Sequence, residues 1–123
     1  VILPESHYGR DSLVGAALFL NRMSKGIQSV SQIHSSMPIY FIVKDKINLG
    51  DLNPNKVLAK ISEEYKTYNQ NKMDGLKIIF QNKWLHIRKS NTEPIVRIYG
   101  EAKSLQSAKS LVEEIKSLIK IIE

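Results

Sequence analysis

Apolar residues recur at two different periods along this chain, and the change falls near residue 38. From Leu13 through Leu20 to Met23 they crowd one helical stretch, which Asp11 or Ser12 can cap. Gly26 stands where a left-handed C-terminal cap is expected. Gly15, Ala16 and Ala17 permit close packing, and the breadth of the apolar face implies burial against something sizeable. A second, short helix is predicted from about Val30 to Ser36, ending before Pro38. These helices have no strands of their own. Residues 1–37 therefore read as the helical C-terminal tail of a preceding domain.

From Pro38 the pattern shortens. Ile39-Tyr40-Phe41-Ile42-Val43 is β-branched and aromatic, and reads as a strand. Asn53-Pro54 supplies a cap and a first-turn proline, after which Val57, Leu58, Ile61, Tyr65 and Tyr68 recur on one helical face. Asp74-Gly75 turns into Leu76–Phe80, and Gln81-Asn82-Lys83 joins this to Trp84–Arg88 as a hairpin. Ile95–Ala102 is a further strand. In the last helix Leu105, Ala108, Leu111, Val112, Ile115, Leu118, Ile119 and Ile122 form one stripe. The predicted class is α+β, in the order β-α-β-β-β-α: a mostly antiparallel sheet with two helices on one face, over residues 38–123.

Strand alternation sorts the side chains. Trp84, His86 and Arg88 share one face, with Leu85 and Ile87 on the other. Ile95, Arg97, Tyr99 and Glu101 line one side of the next strand, with Val96, Ile98, Gly100 and Ala102 opposite. The Leu85/Ile87 and Val96/Ile98 faces suit the helices. Arg88 thus leaves one strand and Arg97 lies shortly inside the next.

Bulk properties narrow the class. At 123 residues the chain allows one ordinary domain, or a small domain plus a piece of another. No apolar run approaches the roughly 20 residues that span a bilayer. The opening Val-Ile-Leu is neither a native start nor a signal peptide, and suggests a cut within a larger protein. Absence of cysteine excludes disulfides and thiolate metal sites and fits a cytoplasmic setting. The net charge of +6 raises nucleic-acid binding as a class, yet residues 1–50 hold only +2 and acidic residues are interspersed throughout. Such a dispersed excess suits a solvated surface, or general attraction for anionic substrates, better than a nucleic-acid groove. His86 and His34 share no ligand spacing with each other or with paired carboxylates, so no metal site is expected here.

The segment Arg88 to Arg97, R-K-S-N-T-E-P-I-V-R, carries the chemistry. Guanidiniums match phosphate oxygens two at a time, while Ser90, Asn91, Thr92 and the loop amides supply short donors. Pro94 closes the run. The same residues also suit an Asx-type turn between two strands with solvated arginines, and the residues alone leave both readings open.

This segment resembles the phosphate-binding loop in the fourth, C-terminal domain of the α-D-phosphohexomutases: phosphoglucomutase, phosphomannomutase and phosphoglucosamine mutase. V-I-L-P-E-S-H-Y-G-R-D-S-L-V-G-A-A-L-F-L, Val1 to Leu20, resembles the stretch after the sugar-binding loop of their third domain. The two matches fall in the family's order, and together the resemblance spans the whole chain. It implies that Arg88, Ser90, Asn91 and Thr92 bind the substrate's non-reacting phosphate, with Arg97 contacting that phosphate or bracing the loop. Glu93 would orient an arginine or cap backbone amides, and Lys89 reads as solvated surface. Arg10 would face the cleft as a candidate catalytic contributor; the other reading is a helix-start ion pair with Asp11. His7 is a further candidate for the cleft.

The implied activity is interconversion of hexose 1-phosphate and 6-phosphate, using a phosphoserine and Mg²⁺ held by domains outside this segment. The segment alone would be inactive, and its partners would be the hexose phosphate and the enzyme's remaining domains, with no nucleic acid and no membrane. The loop reads S-N-T-E-P where phosphoglucosamine mutases typically have S-G-T-E-P, which favours phosphomannomutase or phosphoglucomutase over a phosphoglucosamine mutase fragment. Outside the family, a small basic α+β module binding RNA on Trp84 and Tyr99 is the alternative, and a purely structural domain the third.

Overall fold

Helices in the computed structural model begin where a short polar side chain reaches free backbone amides. It describes residues 1–26 and 28–122, with the side chain of Ile122 outside the described set. Asp11 accepts from the amides of Leu13 and Val14 and starts α1 (Ser12–Lys25). Ser29 and Gln32 form a reciprocal capping box at α2 (Val30–Ser36). Asn53 accepts from Asn55 and Lys56, with Pro54 in the first turn, and starts α3 (Pro54–Glu64). The fourth helix, α4, spans Leu105–Ile122.

The chain divides into two compact units, Val1–Pro38 and Ile39–Glu123. In the first, α1 buries no residue: Leu13 is 80% exposed and Leu20 63%. Among the described residues of this unit, none supplies the cover that its apolar breadth implies. Gly26 does not take the expected left-handed cap; its φ of −133° and ψ of 120° are extended, and α1 simply stops.

The second unit is a five-stranded antiparallel sheet in the order β1-β5-β4-β3-β2. Its strands are β1 (Phe41–Asn48), β2 (Asn69–Asn71), β3 (Leu76–Ile79), β4 (Lys83–Lys89) and β5 (Ile95–Ala102). One face carries Leu76, Ile78, Leu85, Ile87, Val96 and Ile98, and packs in a single core with Val57 and Ile61 of α3 and Leu111, Val112, Ile115 and Ile119 of α4. Both helices thus cover one face, as the alternation predicts. Burying each large aliphatic side chain contributes about 1.5–3 kcal/mol, so this layer dominates stability.

Three expectations are corrected. The first strand begins at Phe41 rather than Ile39 and runs on to Asn48, because it pairs with β5 along its whole length. An extra strand, β2, is built from Asn69-Gln70-Asn71, so the order is β-α-β-β-β-β-α. It lacks β-branched residues; the Gln70 amide instead donates to the Ser62 and Tyr65 carbonyls and anchors this polar edge. Tyr68 lies beyond α3, which ends at Glu64, and packs with Tyr65 and Phe80 instead of continuing the helical face.

Candidate functional site

Antiparallel pairing puts Arg88 of β4 directly opposite Arg97 of β5, and Ser90 to Pro94 form the connection between the two strands. The connection is tied at its base, where the Ser90 amide donates to the Ile95 carbonyl at 3.0 Å and the Ile95 amide to Glu93 at 2.8 Å. The Pro94 carbonyl accepts from Leu49, so the loop is also anchored to the end of β1. A loop fixed at its base on paired strands holds donors in place at little further ordering cost.

Within it the hydroxyls of Ser90 and Thr92 lie 3.4 Å apart, and the Thr92 amide reaches the Ser90 hydroxyl only at 3.4 Å. Those are weak contacts. Among the described residues the amides of Asn91 and Glu93 donate to nothing in the chain. Asn91, Thr92 and Glu93 are exposed and Ser90 is half-buried. Hydroxyls, free amides and two guanidiniums on adjacent strands make an arrangement able to take a small multiply charged oxyanion. A cleft of about 280 Å³ opens beside it, lined in part by Asn55, Asp74, Arg88 and Asn91.

Arg88 is not free. Its Nη2 donates to Asp74 Oδ2 at 2.9 Å, with both side chains partly exposed. The carboxylate that engages this arginine is therefore Asp74, and Glu93 forms no ion pair among the described residues. Asp74 was legible only as half of an Asp-Gly turn. Its partner Gly75 adopts a φ of +76°, and a Cβ there would lie 2.3 Å from the Ile87 carbonyl oxygen. The turn thus presses against the backbone just ahead of Arg88. His86 joins this brace by donating from Nε2 to the Asp74 carbonyl at 2.6 Å. Lys89 points the other way and bonds the Asn55 side chain at the start of α3, at 3.3 Å.

The candidates of the first unit lie apart from this loop in sequence and form their own cluster. Asp11 caps α1 and also accepts from His7 Nε2 at 3.0 Å, while His7 Nδ1 accepts from the Gly9 amide. The His7 hydrogen bond, followed by the Val14 amide, holds the Asp11 carboxyl below its ordinary range. The ion pair between Arg10 and Asp11, the alternative to a cleft-facing Arg10, is absent among the described residues; His7 pairs with Asp11 instead. Arg10 is exposed.

Two aromatic residues offered as a nucleic-acid platform are engaged. Trp84 donates to Glu101 at 2.8 Å and lies under the Lys77 ammonium at 4.3 Å, and Tyr99 packs near His86. Among the described residues no three histidine, cysteine or acidic side chains gather as a group that could hold a metal ion. No helix among them is long and apolar enough to cross a membrane.

A family profile described as phosphoglucomutase/phosphomannomutase, C-terminal domain, matches residues 39–118. The chain belongs to this family. Similar proteins include a phosphoglucosamine/phosphogalactosamine mutase of Sulfurisphaera tokodaii, 36% identical over 94% of the chain and 26% of that protein. A phosphoglucomutase/phosphomannomutase of Thermococcus kodakarensis is 36% identical over 92% of the chain and 25% of its own length. A phosphomannomutase of Methanocaldococcus jannaschii is 31% identical over 94% of the chain and 25% of its own length. The chain therefore spans about a quarter of the curated relatives it matches. Equal identity to the first two leaves the sugar undivided between them.

Proposed function

We propose that Arg88, Ser90, Asn91, Thr92 and Arg97 bind the non-reacting phosphate of a hexose phosphate. The chain would be the phosphate-holding domain of a cytoplasmic mutase that interconverts 1- and 6-phosphates, preceded in residues 1–37 by the helical tail of the third domain. The observation that carries this reading is the opposition of two arginines across a strand pair, joined by a loop in which the Asn91 and Glu93 amides have no partner among the described residues. A phosphate is common to both substrate orientations, so gripping it positions whichever end must react. The phosphoryl donor and Mg²⁺ belong to other domains of the enzyme, and these residues bind and orient only. Phosphomannomutase or phosphoglucomutase activity is favoured by Asn91 within the loop, with phosphoglucosamine mutase as the second reading.

The test is a titration of the 123-residue chain with glucose 1-phosphate and with mannose 1-phosphate, following the backbone amides of residues 88–97 by NMR. Both ligands should shift these amides. Each hydrogen bond to a charged group contributes roughly 1.5–3 kcal/mol, so Arg88→Ala should weaken binding by about 10- to 100-fold without unfolding the sheet. Loop amides indifferent to both sugars would end the proposal. Measurable turnover by the chain alone would overturn its assignment as a binding domain only.

A further inference from the structure

We infer that Asp74 is a positioning residue for Arg88, orienting its guanidinium for the incoming phosphate; this rests on the reading of the loop given above. Arg88 lies directly opposite a second arginine, Arg97, at the loop end of the β4–β5 strand pair. Asp74 reaches it from a different element, the turn before β3, and holds one end of the fork at 2.9 Å. That turn is itself pinned. Gly75 packs against the Ile87 carbonyl and the Arg88 Cα, and His86 donates to the Asp74 carbonyl. The carboxylate therefore sits on a small, backbone-anchored platform and not on a free loop.

A guanidinium carries five N–H donors, and a single-point contact to a carboxylate leaves the others for phosphate. Fixing it beforehand removes an ordering cost that a long side chain otherwise meets on binding. A carboxylate also repels a phosphate, so the two effects differ in sign. Solvent around these partly exposed side chains weakens the direct repulsion, and the positioning role requires orientation to outweigh what remains. Removal of the charge should therefore weaken binding, whereas a bystander carboxylate predicts tighter binding.

The experiment compares wild type, Asp74→Ala, Asp74→Asn and Arg88→Ala in the same chain. Glucose 1-phosphate affinity would be read from the amides of residues 90–93, and the Arg88 side-chain Nε–H signal recorded alongside. Asp74→Ala should lower affinity by about fivefold, and Asp74→Asn, which keeps an acceptor oxygen in place, by about twofold. In both variants the Arg88 Nε–H signal of the free protein should move toward that of a solvated arginine, which a loss of overall stability alone does not produce. Amide shifts report only folded molecules, so a destabilised variant still gives an affinity. Unchanged or tighter binding in both Asp74 variants, with Arg88→Ala still defective, overturns this inference and leaves the loop reading standing. An Arg88→Ala protein that binds normally overturns the loop reading itself.

Discussion

Arg88 and Arg97 are direct cross-strand neighbours, and Lys46 of β1 stands opposite Arg97 on its other side. Three cations thus cross three adjacent strands in one row, and Asp74 is the carboxylate paired with any of them among the described residues. Like charges in that relationship cost roughly 0.2–1 kcal/mol per pair. A row that disfavours the free fold and favours an anion is what a binding surface requires.

Replacing Arg97 with Gln separates the two effects. In urea unfolding without ligand, Arg97→Gln should be neutral or more stable by up to about 1 kcal/mol. In glucose 1-phosphate titrations it should bind about tenfold more weakly, the scale of one charge-assisted hydrogen bond. A destabilised variant with wild-type affinity would instead make Arg97 a brace for the loop.

The Asp74–Gly75 turn gives a second prediction. Gly75→Ala introduces a Cβ at a positive φ and against the Ile87 carbonyl, so strain and overlap add. The variant should lose about 2–3 kcal/mol in chemical denaturation, at the upper end of such strain. Phosphate affinity should also fall, because Arg88 loses its orienting turn. Gly75→Ala at wild-type stability would show that the turn can move aside, and would weaken the case for a rigid platform.

What could be read from residue order follows the physics of each element. α4 and the strands Leu76–Ile79 and Ile95–Ala102 announce themselves because one repeating face is wholly apolar. β2 does not, since its order comes from Gln70 bonding to carbonyls of Ser62 and Tyr65, contacts between segments that no local pattern records. The apolar pattern of β1 extends only to Val43, because Asp45 interrupts it, yet Asp45 lies on the helix side and pairs with Lys116 of α4 at 2.8 Å. The loop residues were legible as chemistry, being short donors between arginines. Asp74 was not, because its meaning depends on a strand pairing that brings it to Arg88 from the start of β3.

The Asp45–Lys116 pair predicts an acid response. Hydrogen bonding to Lys116 first, and to the Lys46 amide second, lowers the Asp45 carboxyl below its ordinary 3.8. A lowered folded value means the stabilisation is fully present above pH 3.8 and is lost as pH falls through the folded value. Lys116, raised above 10.5 by Asp45 and then Glu113, gives the mirror case: its contribution is lost only as pH rises through that raised value. Urea melts of wild type and Asp45→Asn should therefore differ at neutral pH and converge in acid below pH 3.8. A difference that persists undiminished there would assign the effect to packing and not to charge.

Burial divides the chain energetically, and this supplies the last prediction. Ile98 is fully buried between the sheet and α4, whereas Leu20 on α1 is 63% exposed. Ile98→Ala should cost about 2–5 kcal/mol in the 123-residue chain, the range for large aliphatic truncations in a packed core. Leu20→Ala in the same chain should change stability by no more than about 0.5 kcal/mol. If residues 1–37 are the tail of a preceding domain, that exposed face is covered in the longer protein. There Leu20→Ala should cost about 2 kcal/mol or more, read as a lower unfolding midpoint of the preceding domain with the phosphate-binding domain unaffected. An equally silent Leu20→Ala in the longer protein would detach α1 from any such core.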